Sequence, residues 1–123
     1  MAHSLDSIPY ESRVRLPRFQ TKSGIYAIDL QQIMYLSARS NYTVFHLKNG
    51  EHVITSLSLN TYTSFLEEKG FMRIHKSYMI NLSYVDRCQI LRFEVLTLPT
   101  GQSITIARRR RTALKNRLND LSL

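Results

Sequence analysis

At 123 residues the chain is the size of one domain, and such a length buries roughly two-thirds of its unfolded surface, enough for a core without covalent staples. Its single cysteine, Cys88, excludes an internal disulfide framework and a cysteine zinc cage, and suits a reducing compartment. The formal charge of +8 is unevenly held: residues 1–70 carry seven Lys/Arg against six Asp/Glu and residues 71–123 ten against three, which directs the second half towards a polyanion.

Residues 1–19 read as a loosely ordered lead-in. They contain no apolar stretch of secretory type, and no run approaches the roughly 18 apolar residues of a membrane span, so a cytoplasmic protein without a membrane partner is expected. Arg13, Arg15 and Arg18 alternate around Val14, Leu16 and Phe19, either as a surface arm or as a first strand that Pro17 would confine to a sheet edge.

From Lys22 to Ser56 the pattern is β, with strands over Ile25–Leu30, Ile33–Ser37 and Tyr42–Leu47. Asn49-Gly50 is the strongest turn signal in the chain and should join Tyr42–Leu47 to His52–Ser56. Val44 beside Phe45 puts apolar groups on both faces, which implies a sheet covered on both sides in places or strongly twisted. Ala38-Arg39-Ser40-Asn41 interrupts this run. Taken alone it is an ordinary connection, since Ser and Asn form loops for local reasons; its other reading is a presented loop whose Arg39 and Asn41 touch a ligand.

Leu59–Lys69 reads as a helix with Leu59, Tyr62, Phe65 and Leu66 on one stripe, Ser58 or Asn60 as N-cap and Gly70 as its stop. The stretch Phe71–Val85 opens with a helical spacing of Phe71, Ile74 and Tyr78, which sends Arg73 and Lys76 away from the apolar side, and then alternates as a strand through Tyr78, Ile80 and Leu82. Its basic-polar tip, Arg73, His75, Lys76 and Ser77, suits an anionic ligand, against the plainer reading of a solvated helix face. Gln89–Leu98 and Gln102–Ile106 form a hairpin over Pro99-Thr100-Gly101. Four arginines, Arg108 to Arg111, then lead into a helix over Thr112–Leu121 with Leu114, Leu118 and Leu121 on one side. Cations at a helix N-terminus oppose the macrodipole, so the fold gains nothing from them there, and contact with phosphates and bases explains them better.

Catalytic and metal chemistry find no support in the residue pattern. His3, His46, His52 and His75 lack ligand spacing, though His46 and His52 flank the hairpin turn; Asp29, Asp86 and Glu94 form no readable acid pair; Lys76-Ser77 has no elbow motif; and four unclustered glycines make no phosphate loop. No enzyme and no cofactor are therefore expected. Among DNA-binding modules, a helix-turn-helix formed by Leu59–Lys69 and Phe71–Leu82 is the competitor, weakened by the turn to period two after Ser77. A basic β module docking on an acidic protein or a membrane surface is the alternative to nucleic-acid binding.

The order IMYLSARSNYTVFHLKNG, then SLSLNTYTSFLEEKGFMRIHKSYMINLSYV, then LPTGQSITIARRRR resembles the LytTR family of bacterial DNA-binding domains, over about residues 20–121. The Phe, Arg, His-Lys-Ser centre and following Asn-Leu of FMRIHKSYMINLSYV carry it most specifically. The resemblance implies a mainly β (α+β) fold: an elongated arrangement of several small, mostly antiparallel sheets with a mid-chain helix and a C-terminal helix, preceded by the lead-in at 1–19 and occupying 20–123. It implies a transcription regulator that lays loops into successive major grooves of double-stranded promoter DNA. Carried over by position, Asn41, Lys76 and Arg109 would contact base edges, as Asn suits adenine and Lys or Arg guanine. Arg39, Ser40, Arg73, His75, Ser77, Arg108 and Arg110 would mostly fix the protein on phosphates. Many members carry a receiver domain for which this length leaves no room, so a free-standing domain or a fragment is expected, with a receiver or sensor partner outside the chain and pairing of two copies on repeated sites left open.

Overall fold

A computed structural model describes residues 16–121. The readings of His3, Arg13, Val14 and Arg15 lie outside the described residues. Within them the chain is mainly β, with a mid-chain and a C-terminal helix. Seven strands form one sheet: β1 (Arg18–Thr21), β2 (Gly24–Ala27), β3 (Ile33–Arg39), β4 (Tyr42–Leu47), β5 (His52–Thr55), β6 (Phe71–His75) and β7 (Tyr78–Asn81), in the order β2-β1-β5-β4-β3-β7-β6. Three more, β8 (Gln89–Leu91), β9 (Val95–Thr97) and β10 (Ser103–Thr105), form a second sheet in the order β10-β9-β8. All pairings are antiparallel. The helices are α1 (Leu59–Glu67) and α2 (Arg111–Leu121).

Around β3, β6 and β7 the large sheet is covered on both faces, one of the two arrangements that the mixed Val44-Phe45 pattern allowed. Leu36, Phe45 and Met79 are cross-strand partners on one face, and they pack with Phe19, Phe71 and the Leu59, Tyr62 and Leu66 stripe of α1. Phe19, Phe45 and Tyr62 meet edge to face, with centroids 4.9, 5.7 and 5.5 Å apart, so β1, β4 and α1 close around one aromatic knot. On the opposite face Tyr35, Ile80 and Met72 pack with Leu96 and Ile104 of the small sheet and with Leu114 of α2. Ser58 caps α1, its side chain accepting the Thr61 N–H at 3.4 Å, and Gly70 takes φ +92° on the way into β6.

Several expectations need correction. Phe71–His75 is a strand, so no second helix exists for a helix-turn-helix. A strand buried on both faces is apolar almost throughout, and Phe71, Met72, Arg73 and Ile74 are all buried; its i, i+3 apolar spacing therefore imitates a helix. A bulge between Arg73 and His75 further shifts the alternation. Gln89–Leu98 is two strands, because Arg92 and Phe93 both take φ +56° and reverse the chain between β8 and β9. No Asn or Gly marks that turn, which hid it. The strand expected over Ile25–Leu30 ends at Ala27, and Asp29 caps a 3-10 turn at Leu30–Gln32. Nor is β1 an edge strand: it lies between β2 and β5, and the Pro17 carbonyl accepts the Ile28 N–H at 3.0 Å. Phe65 leaves the apolar stripe and is exposed, with Lys69 Nζ 5.7 Å from its ring centroid.

Candidate nucleic-acid interface

Strand register brings the polar turns to one end of the large sheet. Arg39 pairs with Tyr42, so Ser40-Asn41 is the two-residue turn joining β3 and β4. Ser37 pairs with Tyr78, and the Ala38 N–H donates to the Ser77 carbonyl at 2.8 Å, which sets Lys76-Ser77 beside that turn. Beyond β6, the Ala107 N–H donates to the Ile74 carbonyl at 2.8 Å, so the arginine run starts alongside the tip of the outermost strand. In the other direction Thr43 pairs with Thr55, and Thr55 with Thr21, the residue before Lys22. The β1–β2 turn is thus at the same end, and Lys22 Nζ lies 5.7 Å from the ring centroid of the exposed Tyr42. Lys22 was not legible as a site residue, because nothing in a short Thr-Lys-Ser-Gly turn tells which end of a seven-stranded sheet it will occupy.

At an interstrand spacing of about 4.8 Å, the Ser40-Asn41 and Lys76-Ser77 turns stand about 10 Å apart, and the row from Lys22 to the arginines spans about 30 Å. The opposite end of the sheet carries the Asn49-Gly50 turn, where Gly50 takes φ +90° and the Asn49 side chain accepts the Glu51 N–H at 2.9 Å.

Each tip is held by its own local chemistry. Arg39, Ser40 and Asn41 are exposed, and Ser40 takes φ +56°, the positive φ that a tight two-residue hairpin turn uses. Lys76 is exposed, while His75 and Ser77 are half-buried. His75 Nδ1 accepts the Ser77 N–H at 3.1 Å, so the neutral ring carries its proton on Nε2 and presents a donor there. Arg108, Arg109 and Arg110 form a 3-10 turn ahead of α2, the first two exposed and the third half-buried. Arg111 turns back, its Nε donating to the Ile106 carbonyl at 3.1 Å, and so anchors the run.

Arg73 departs from the expectation that it points away from the core. It is 8 % exposed, and its guanidinium donates to Asn60 Oδ1 (2.9 Å) and Thr63 Oγ1 (3.0 Å) on α1, to the His75 carbonyl (3.0 Å) and to the Lys76 carbonyl. Burial lowers its pKa, as do Arg110 and, less, Arg109, while Glu67 works the other way. A buried cation is tolerable only when its donors find partners, and these four acceptors take four of its five N–H groups. The side chain is thus turned towards α1 and the carbonyls of its own turn.

The model of the LytTr DNA-binding domain matches residues 23–119. The chain belongs to the LytTR family of DNA-binding domains. A solved structure described as the LytTr DNA-binding domain of a putative methyl-accepting/DNA response regulator from Bacillus cereus has the same fold, with a TM-score of 0.63 at 17 % identity, over 85 % of this chain and 95 % of that one. No curated protein matches the sequence. In this LytTR domain the matched segment contains the Ser40-Asn41, Lys76-Ser77 and arginine tips, and Lys22 lies one residue before it.

His46 and His52 do face each other across β4 and β5, with ring centroids 4.8 Å apart, and His46 stacks on Tyr35 at 4.0 Å with Ser37 Oγ 2.7 Å from its Nε2. Burial first, then His52 and Arg39, push the His46 pKa down to about 4, so His46 favours its neutral ring. Among the described residues no three His, Cys, Asp or Glu side chains gather as a metal site, and no helix is long and apolar enough to cross a membrane.

Proposed function

We propose that this LytTR domain binds double-stranded promoter DNA sequence-specifically through the turn-lined end of its large sheet, and so regulates transcription. The observation that supports this most is the convergence of four turns, carrying Lys22, Arg39 to Asn41, His75 to Ser77 and Arg108 to Arg110, on one end of a rigid scaffold. Their row, about 30 Å at the backbone, is close to one helical turn of duplex, about 34 Å. Turn tips of this width enter a major groove about 12 Å wide, where each base pair presents a distinct set of donors and acceptors. Asn41, Lys76 and Arg109 read base edges. Lys22, Arg39, Ser40, Ser77, Arg108 and Arg110 hold phosphates, and His75 offers its Nε2–H to an acceptor.

Selection from random duplexes, followed by footprinting, tests this reading. An enriched motif protected over about one helical turn per copy is expected. Binding to heparin or anionic vesicles with no enriched DNA motif would instead favour a polyanion-docking module and remove the proposal.

A further inference from the structure

We infer that Arg73 is a positioning residue for sequence reading by Lys76, acting from inside the protein rather than on a phosphate. The inference rests on the proposed DNA contact of Lys76. Two of the four acceptors of the guanidinium are the carbonyls of His75 and Lys76, the peptide units of the turn itself; the other two, Asn60 and Thr63, belong to the first turns of α1. One planar fork thus ties the turn to a helix that is itself anchored in the core by Leu59 and Tyr62. The bulge adds a reason. Register jumps from Arg73↔Met79 to His75↔Tyr78, so Ile74 has no partner on β7 and its carbonyl accepts from Ala107 instead. A bulged tip would twist freely without a clamp on its carbonyls, and Lys76 would lose its fixed line of approach to the groove. Lysine cannot substitute, because one ammonium does not reach acceptors arranged around a guanidinium plane.

The test compares wild type, Arg73→Lys, Lys76→Ala and the Arg73→Lys/Lys76→Ala double variant on a selected duplex and on its single-base-pair variants, across a salt series. Expected for Arg73→Lys is a loss of at least about fivefold, the lower end of a base-edge contact, concentrated at the base pair that Lys76→Ala also blurs. The salt slope stays at the wild-type value, and the double variant loses no more than Lys76→Ala alone. A slope shallower by about 0.9 with additive losses would make Arg73 a phosphate contact and overturn the inference. Equal weakening on all duplexes with an unchanged slope would make it a general fold element, which also overturns it. Lys76→Ala without effect would remove the DNA reading first, and the inference with it. If Arg73→Lys does not fold, Asn60→Ala/Thr63→Val withdraws the α1 half of the clamp and must relax preference at the same base pair; unchanged preference there contradicts the inference.

Discussion

Lys76 and Arg109 differ from Lys22 and Arg110 in what their loss should do. Lys76→Ala or Arg109→Ala should lower affinity for the selected site by about 1–3 kcal/mol and relax preference at one base pair. Lys22→Ala or Arg110→Ala should weaken all duplexes about equally, each making the log–log salt slope shallower by about 0.9, as titrations at several salt concentrations would read. His46 yields a prediction that needs no DNA. Its folded pKa, about 4, lies below the ordinary histidine value of 6.5, so the folded state resists a proton that the unfolded chain accepts. That contribution is complete above pH 6.5 and is lost as pH falls towards 4. Thermal melts should therefore show a steeper fall over this window in wild type than in His46→Gln. Cross-strand placement of His46 against His52 was legible from their flanking of Asn49-Gly50. The inward turn of Arg73 was not, since an arginine in an apolar run reads as exposed until its four acceptors are known.

Among the elements, the β8–β9 turn carries a correctable strain. Arg92 sits at φ +56°, where a residue with an ordinary side chain is disfavoured by about 1–2 kcal/mol and asparagine by less. Arg92→Asn should raise stability by up to about 1 kcal/mol in denaturant unfolding, with the small sheet unchanged. α2 offers the opposite case. Leu114 is fully buried and Leu118 packs beside it, so Leu114→Ala should cost about 2–5 kcal/mol and loosen the helix that follows the arginine run. The Asn49-Gly50 turn between two runs of strand-forming residues made β4 and β5 readable almost to the residue, and a helical apolar stripe with a Ser58 cap did the same for α1. The β6 strand escaped because burial on both faces removes the alternation, and the β8–β9 turn because Arg-Phe is not turn chemistry.

At the scale of the molecule, the formal charge of +8 supplies long-range attraction to a polyanion, but charge alone does not choose a face. The choice comes from topology. In an antiparallel sheet successive turns alternate between the two ends, and here β1–β2, β3–β4 and β6–β7 fall at one end with the Arg108–Arg110 run, while Asn49-Gly50 falls at the other. Local sequence specifies the turns and says little about strand order, so the three expected tips could be named individually but their alignment with Lys22 could not. Backbone amide shifts on adding a selected duplex measure that alignment most directly. The predicted result is perturbation at Lys22-Ser23, Ser40-Asn41, Lys76-Ser77 and Arg108 to Arg110, with Asn49-Gly50 undisturbed. Perturbations centred on Asn49-Gly50, or on the exposed face of α1 around Phe65, would contradict a DNA-binding end built from these four turns.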